Sequence, residues 1–270
     1  MTKRFPVQRH LCLLLAAGIG TALSGCAVGK KPSGEQELLQ PPIVADPLRS
    51  LQQRAERFQG LRALMRLQYR DPKETHSSRE AIVVARPDRL RVEVLSLFGS
   101  VFLLATDKGR LLAYVPEERT VYLGAASAEN LWRYTRLWIP VEDLVDLLLA
   151  TPGYQRAQLA HCPPGDAAGA CLSYPTHTGE ATVWLDRAAL PLRVEHMGAD
   201  GTLLWTARYE SFETHSTVPV VKQLAVESPA FGRKITLQFH DVEINPELEG
   251  DEFTLHYPAE TQVVNLEEEQ

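Results

Sequence analysis

Positive charge is scarce in this chain, long apolar runs are missing, and the common catalytic motifs are absent. Lysine and arginine number 28 against 34 aspartates and glutamates, a formal net charge of −6. So acidic a chain lacks the basic footprint of a nucleic-acid-binding protein, which excludes nucleic acid as an expected partner. No Gly-x-Ser-x-Gly elbow, Gly-rich phosphate loop or His-Glu-x-x-His pair occurs, so neither a hydrolase nucleophile, a nucleotide site nor a zinc-protease site is indicated. The eight histidines are dispersed. His196, His215 and His240 could meet in space, but a histidine on a strand is more often structural than catalytic, and an enzyme is not expected. No internal repeat is visible. The longest apolar run, Leu11 to Leu23, is shorter than the ~20 residues a membrane-crossing helix needs.

That run belongs to a different pattern. Lys3, Arg4 and Arg9 form a basic head before it, and the small residues Ser24 and Gly25 follow it. Basic head, apolar core and small-residue tail describe an export signal over residues 1–25. Leu23-Ser24-Gly25-Cys26 resembles the bacterial lipobox. The resemblance implies a diacylglyceryl group and a further acyl chain on Cys26 after cleavage, with no other cofactor. Two or three acyl chains anchor stably where one alone does not. Ala27, in place of Asp, favours the periplasmic face of the outer membrane under bacterial sorting rules. Removal of the signal leaves a net charge of −9. Anionic lipid heads would repel such a chain, so attachment falls to the acyl groups and to apolar contact.

Cysteine is equally sparse. Of four, Cys12 leaves with the signal and Cys26 carries lipid, which leaves Cys162 and Cys171. Export to an oxidising compartment favours a disulfide between them across the turn-forming segment 163–170. His161 stands next to Cys162, but no second ligand pair has zinc spacing, so no metal is expected.

Residues 26–46 hold Gly29, Pro32, Gly34, Pro41 and Pro42 with little periodicity, as in a tether. The single domain expected over 47–270 opens with a helix from Pro47 to Gln59 carrying Leu48, Leu51, Ala55 and Phe58 on one face. A change to period two follows at Leu61, and short turn-separated strands run on to Leu123, which makes an antiparallel meander. Ser127 caps an expected helix to Arg133, and a more apolar one starts at Pro140 and ends before Pro152. Six further strands are expected between Leu172 and His240.

Three stretches carry a resemblance to a family. Ala85-Arg86-Pro87-Asp88-Arg89-Leu90-Arg91 is similar to an Arg-Pro strand turn in LolA, the periplasmic carrier of outer-membrane lipoproteins. Ser127 to Leu131, with Ile139-Pro140-Val141-Glu142-Asp143-Leu144, resembles the lid helices of LolB, its membrane-anchored receptor. Ile244 to Leu248, with Glu252 to Pro258, resembles the closing strand of that fold. The resemblance implies a mainly β (α+β) fold, a strongly curved antiparallel half-barrel under a helical lid. It also implies an apolar cavity for acyl chains of lipoproteins or other lipids, with a periplasmic carrier protein as a further candidate partner. The expected cavity lining is Leu61, Met65, Val92, Val94, Leu103, Leu144, Leu148, Trp205 and Tyr209, against the alternative of a dry, filled core.

Two features are local. Leu97 and Phe98, in the turn Leu95 to Ser100, match a protruding apolar loop of the receptor and are expected either to touch membrane lipid or to tuck under the lid. Arg86 matches the carrier arginine that holds the lid closed; the other reading is a solvated strand-end arginine. The alternative for the whole chain is a scaffold or sensor subunit of an envelope assembly using the same fold.

Overall fold

A computed structural model describes residues 44–162 and 168–267. The expected export signal over 1–25, Cys26 and most of the expected tether therefore lie outside the described residues. The body already begins at Val44, whose amide donates to the Arg187 carbonyl at 2.9 Å. Asp46 then accepts from the Arg49 amide (2.9 Å) and caps helix α1, Pro47–Arg57, which buries Leu51 and Ala55.

Six antiparallel strands follow in meander order: β1 Gly60–Arg70, β2 Thr75–Ala85, β3 Arg89–Ser96, β4 Gly99–Asp107, β5 Arg110–Val115 and β6 Thr120–Ala125. Helices α2, Ala128–Thr135, and α3, Val141–Leu148, interrupt them. The Ser127 hydroxyl accepts from the Asn130 amide at 3.2 Å, as its position before an apolar run predicts. A second meander comprises β7 Gln158–Ala160, β8 Ala170–Thr176, β9 Gly179–Leu185, β10 Pro191–Gly198, β11 Leu203–His215, β12 Val218–Ser228 and β13 Arg233–Ile244. Chain order cannot say how two meanders join. Here β13 returns to pair with β1, Met65 opposite Phe239 and Leu67 opposite Leu237, which fuses them into one sheet of fourteen strands.

The sheet is strongly curved, and its packing shows why. Helix α3 packs on β2 and β3, while the Tyr209 hydroxyl on β11 donates to the Leu147 carbonyl of the same helix at 2.9 Å. β3 and β11 are five places apart in the sheet. At ~4.8 Å per strand, a flat sheet would hold them ~24 Å apart, beyond the span of a helix ~10–12 Å across. The sheet therefore curls around the helices, and one core of Leu, Val and aromatic side chains runs along its concave side.

The convex side differs between the halves. Val83 and Ala85 on β2 lie beneath Phe253, and Ala105, Tyr114 and Val121 lie beneath Leu255. The covering segment after Ile244 is irregular and becomes a strand only at β14, Gln262–Asn265, which pairs parallel to β6. The stretch likened to a closing strand is thus mostly a strap. Arg91 donates to the Glu252 carbonyl (2.9 Å), Arg89 lies over Phe253, and Arg62 binds the carboxylates of Glu243 (2.9 Å) and Glu252 (3.1 Å). Both faces of β2 and β4 are therefore covered, which explains their unbroken apolar runs.

Cys162 and Cys171 form a disulfide with Cα atoms 5.2 Å apart. It closes the far end of the sheet, where the three-residue strand β7 pairs Ala160 with Cys171. A short edge strand tied to its neighbour offers little backbone for another chain to pair with.

Candidate functional site: two hollows beneath the helices

Helix α3 is held from below by one arginine. The Arg86 guanidinium, 5% exposed, binds the Asp146 carboxylate and the Thr151 hydroxyl and donates through Nε to the Phe58 carbonyl at 3.1 Å. It also lies 4.5 Å from the Tyr154 ring. Arg86 therefore joins the end of β2 to α1, α3 and the turn beyond α3. Burial pushes the Asp146 carboxyl up to about 7, with the Arg86 charge opposing the shift. Asp143, one turn earlier, binds Arg156. Burial raises this carboxyl too, against the pull of Arg156. The apolar helix thus buries two carboxylates, each with an arginine partner, as buried charge requires.

Between α3 and the concave face of the first meander lies a cavity of 620 Å³. It is within the ~300–1,000 Å³ range of small-ligand sites. Met65, Ile82, Leu90, Val92, Val94, Phe102 and Leu104 line its sheet side, and Tyr134, Leu137, Leu144 and Leu148 its helix side. Asp71, Glu74, Arg136 and Arg233 also line it, and Glu80 stands within it, only 5% exposed.

A second cavity, 660 Å³, opens on the other side of the α2–α3 link. Trp132, Trp138, Leu204, Trp205, Ala230 and Phe231 line it, together with Thr178 and Asp200. Arg136 and Leu137 border both cavities. Arg136 ends α2 with φ +59°, a left-handed turn that sends the link between the two spaces.

Five of the nine residues expected around a cavity meet at the first one: Met65, Val92, Val94, Leu144 and Leu148. The other four lie elsewhere. Leu103 is opposite Glu93 and Tyr114 and belongs to the convex cluster beneath Leu255. Its neighbour Leu104 takes the concave place, because β4 is apolar on both faces and its sequence shows no phase. Leu61 is 1% exposed and belongs to the core cluster, outside the lining of either cavity. Tyr209 fills the space against α3 through its bond to Leu147. Trp205 lines the second cavity instead, with His196 edge-on at 5.0 Å. His196 shares hydrogen bonds with Thr176 (3.0 Å) and Thr178 (2.8 Å), and burial lowers its pKa to about 4, so it is neutral and structural.

The residues missed include Glu80, Ile82, Leu90, Phe102, Leu104, Tyr134, Leu137 and the rim charges. The signal for Glu80 is its phase with Ile82 and Val84 on β2.

Leu97 and Phe98 form the two-residue tip of the β3–β4 hairpin and are 96% and 99% exposed. The Ser96 hydroxyl donates to the Gly99 carbonyl (2.7 Å) and accepts from the Phe98 amide, and Gly99 adopts φ +118°. The tip does not tuck beneath the helices. Among the described residues no cluster of three or more His, Cys, Asp or Glu is placed to hold a metal.

A curved sheet roofed by two short helices, with β1 and β13 uniting two meanders, has counterparts among solved structures. A DUF1329 family protein from Desulfovibrio piger aligns with TM-score 0.60 at 14% identity, over 77% of this chain and 97% of that one. An outer membrane lipoprotein-sorting protein domain from Vibrio parahaemolyticus aligns with TM-score 0.59 at 18% identity, covering 77% and 95%. A LolA superfamily protein from Nitrosomonas europaea gives 0.59 at 12% identity, covering 78% and 99%. The fold is LolA/LolB-like. No family model and no curated protein matches the sequence. At such identities the LolA/LolB-like likeness establishes architecture alone, and function must come from the cavities.

Proposed function

We propose that this chain is a lipid-anchored protein of the bacterial envelope that takes up acyl chains, of lipoproteins or other lipids, in the hollow beneath α3. The supporting observation is the first cavity: 620 Å³ with aliphatic walls from both sheet and helices. Acyl binding needs only apolar area, each methylene buried being worth ~0.8 kcal/mol, and requires no catalytic group. Cys26, once lipidated, would hold the domain at the periplasmic face of the outer membrane. Segment 1–25 would serve as the export signal, and the residues up to Val44 as the tether. Arg86 would keep α3 seated while the link around Arg136 moves, and Leu97 with Phe98 would meet the lipid surface. A periplasmic carrier would be the natural donor or acceptor of cargo.

Native mass spectrometry of the purified chain carrying Cys26→Ala tests this reading. Bound lipid or lipopeptide is the expected result. Stoichiometric protein without lipid would favour the scaffold or sensor alternative.

A further inference from the structure

The acyl-chain reading accounts for the aliphatic walls of the hollow but leaves one side chain unused. Glu80 lies mid-strand on β2, opposite Met65 on β1 and Val94 on β3, and all three line the cavity. Its carboxylate accepts one hydrogen bond, from the Ser78 hydroxyl at 2.7 Å, and no basic group pairs with it among the described residues. Unpaired charge in an apolar wall is costly, and a retained carboxyl there is a specificity device or a liability. Burial raises its pKa, with the Ser78 bond opposing, so the proton is held more readily than usual.

Below Glu80 the wall is apolar. Leu90, at the deep end, pairs with Val84, four residues along β2 from Glu80. Four residues of strand span ~13 Å, close to the ~15 Å of acyl chain in one leaflet. A tail buried to the level of Leu90 therefore brings its first polar group to Glu80.

We propose that Glu80 selects the linkage of the bound amphiphile: the hollow takes an acyl chain joined through an amide and rejects one that ends in a free carboxylate. This deepens the acyl-chain reading and rests on it. An amide suits a carboxyl in either protonation state, because its N–H donates to the ionised form and its carbonyl accepts from the protonated form. A fatty-acid carboxylate meets a like charge or must share a proton, and either is unfavourable in an apolar site. The rim does not reverse this preference. It carries two arginines, Arg136 and Arg233, and two carboxylates, Asp71 and Glu74, and so adds no net charge, and Arg233 lies over Trp132 and Phe231 at 5.3 and 4.9 Å.

The test is calorimetric titration of the Cys26→Ala chain with N-lauroyl ethanolamine and with laurate, whose tails match that span, at neutral pH. The amide should bind at least about tenfold more tightly. Glu80→Leu, close to Glu in volume and suited to its apolar neighbours, should bring the two affinities within about threefold, and Glu80→Gln, which removes the charge and offers an N–H donor to a carboxylate, should abolish the amide preference as well. Glu80→Met serves equally if the leucine variant melts early. Equal affinities in the unmodified site, or a preference unchanged by Glu80→Leu, would overturn the assignment and leave the acyl-chain reading intact. Binding of neither ligand would overturn both.

Discussion

The two hollows on either side of the Arg136–Leu137 link are similar in volume and different in lining. The first, under α3, has aliphatic walls from β1 to β4 and one buried carboxyl, Glu80. The second is walled by rings: Trp132, Trp138, Trp205 and Phe231. The Trp205 indole N–H is buried there without a hydrogen-bond partner. Aliphatic walls present no fixed polar geometry and suit a tail; a rigid aromatic wall with one free donor suits a more defined shape. On the second meander Tyr174 and Tyr209 are buried, and Tyr209 reaches α3 through the Leu147 carbonyl. Tyr209, bonded to α3, thus occupies on the second meander the kind of space that Val and Leu leave open on the first.

The largest test of this contrast is Arg86→Met, which removes the support of α3. It leaves the Asp146 carboxyl buried without its cation, and breaking such a pair costs about 3–5 kcal/mol. Urea unfolding should show that loss, and an unchanged midpoint would mean that α3 is seated by packing alone.

A pair of enlargements separates filled core from hollow. Ala207 is fully buried between Val194 and Val226, so Ala207→Phe should destabilise by roughly 1–3 kcal/mol or more through overpacking. Val92→Phe points into the first cavity and should leave the melting temperature nearly unchanged while reducing acyl-probe binding. Equal losses from the two would show that no usable space exists beneath α3.

Asp146 gives a pH test. Its folded pKa of about 7 stands above the ordinary 3.8, so between about pH 4 and 7 the folded chain keeps a proton the unfolded chain has released. Its contribution to stability therefore falls as pH rises through that window. Asp146→Asn does not titrate, and its melting temperature should gain on that of the parent from pH 5 to pH 8. A variant that loses ground to the parent over that range would reverse the sign.

The smallest stability effect belongs to the hairpin tip. Leu97 and Phe98 are almost fully exposed, and replacing both with Ser should change stability by no more than about 0.5 kcal/mol. Transfer of cargo to vesicles should nonetheless fall sharply. Undiminished transfer would separate the tip from any membrane role.

Strand phase was readable where one face is wet: Ile235, Leu237 and Phe239 point inward and alternate with Thr236, Gln238 and His240, as their spacing predicts. It was unreadable on β4, where Val101 to Ala105 is apolar throughout, and there the cavity side fell to Leu104 rather than Leu103. Strands β7 and β14 are three and four residues long, too short for any period to show. Met65, Val92, Val94, Leu144 and Leu148 were found because each lies on an element with a clear apolar stripe. Leu61 and Tyr209 satisfied the same pattern yet line neither cavity, since apolarity reports burial and not whether space remains beside it.

Local chemistry in the sequence was enough to determine the order of the elements other than β7 and β14, the Ser127 cap, the turn at Leu97-Phe98 and the partnership of Cys162 with Cys171. These depend on neighbours within a few residues or on one short loop. The joining of β1 to β13, the convex strap, the seating of α3 on Arg86 and the division of the interior into two hollows were decided only in three dimensions. Each brings together side chains from distant parts of the chain, and the volume left between them depends on how far the sheet curls.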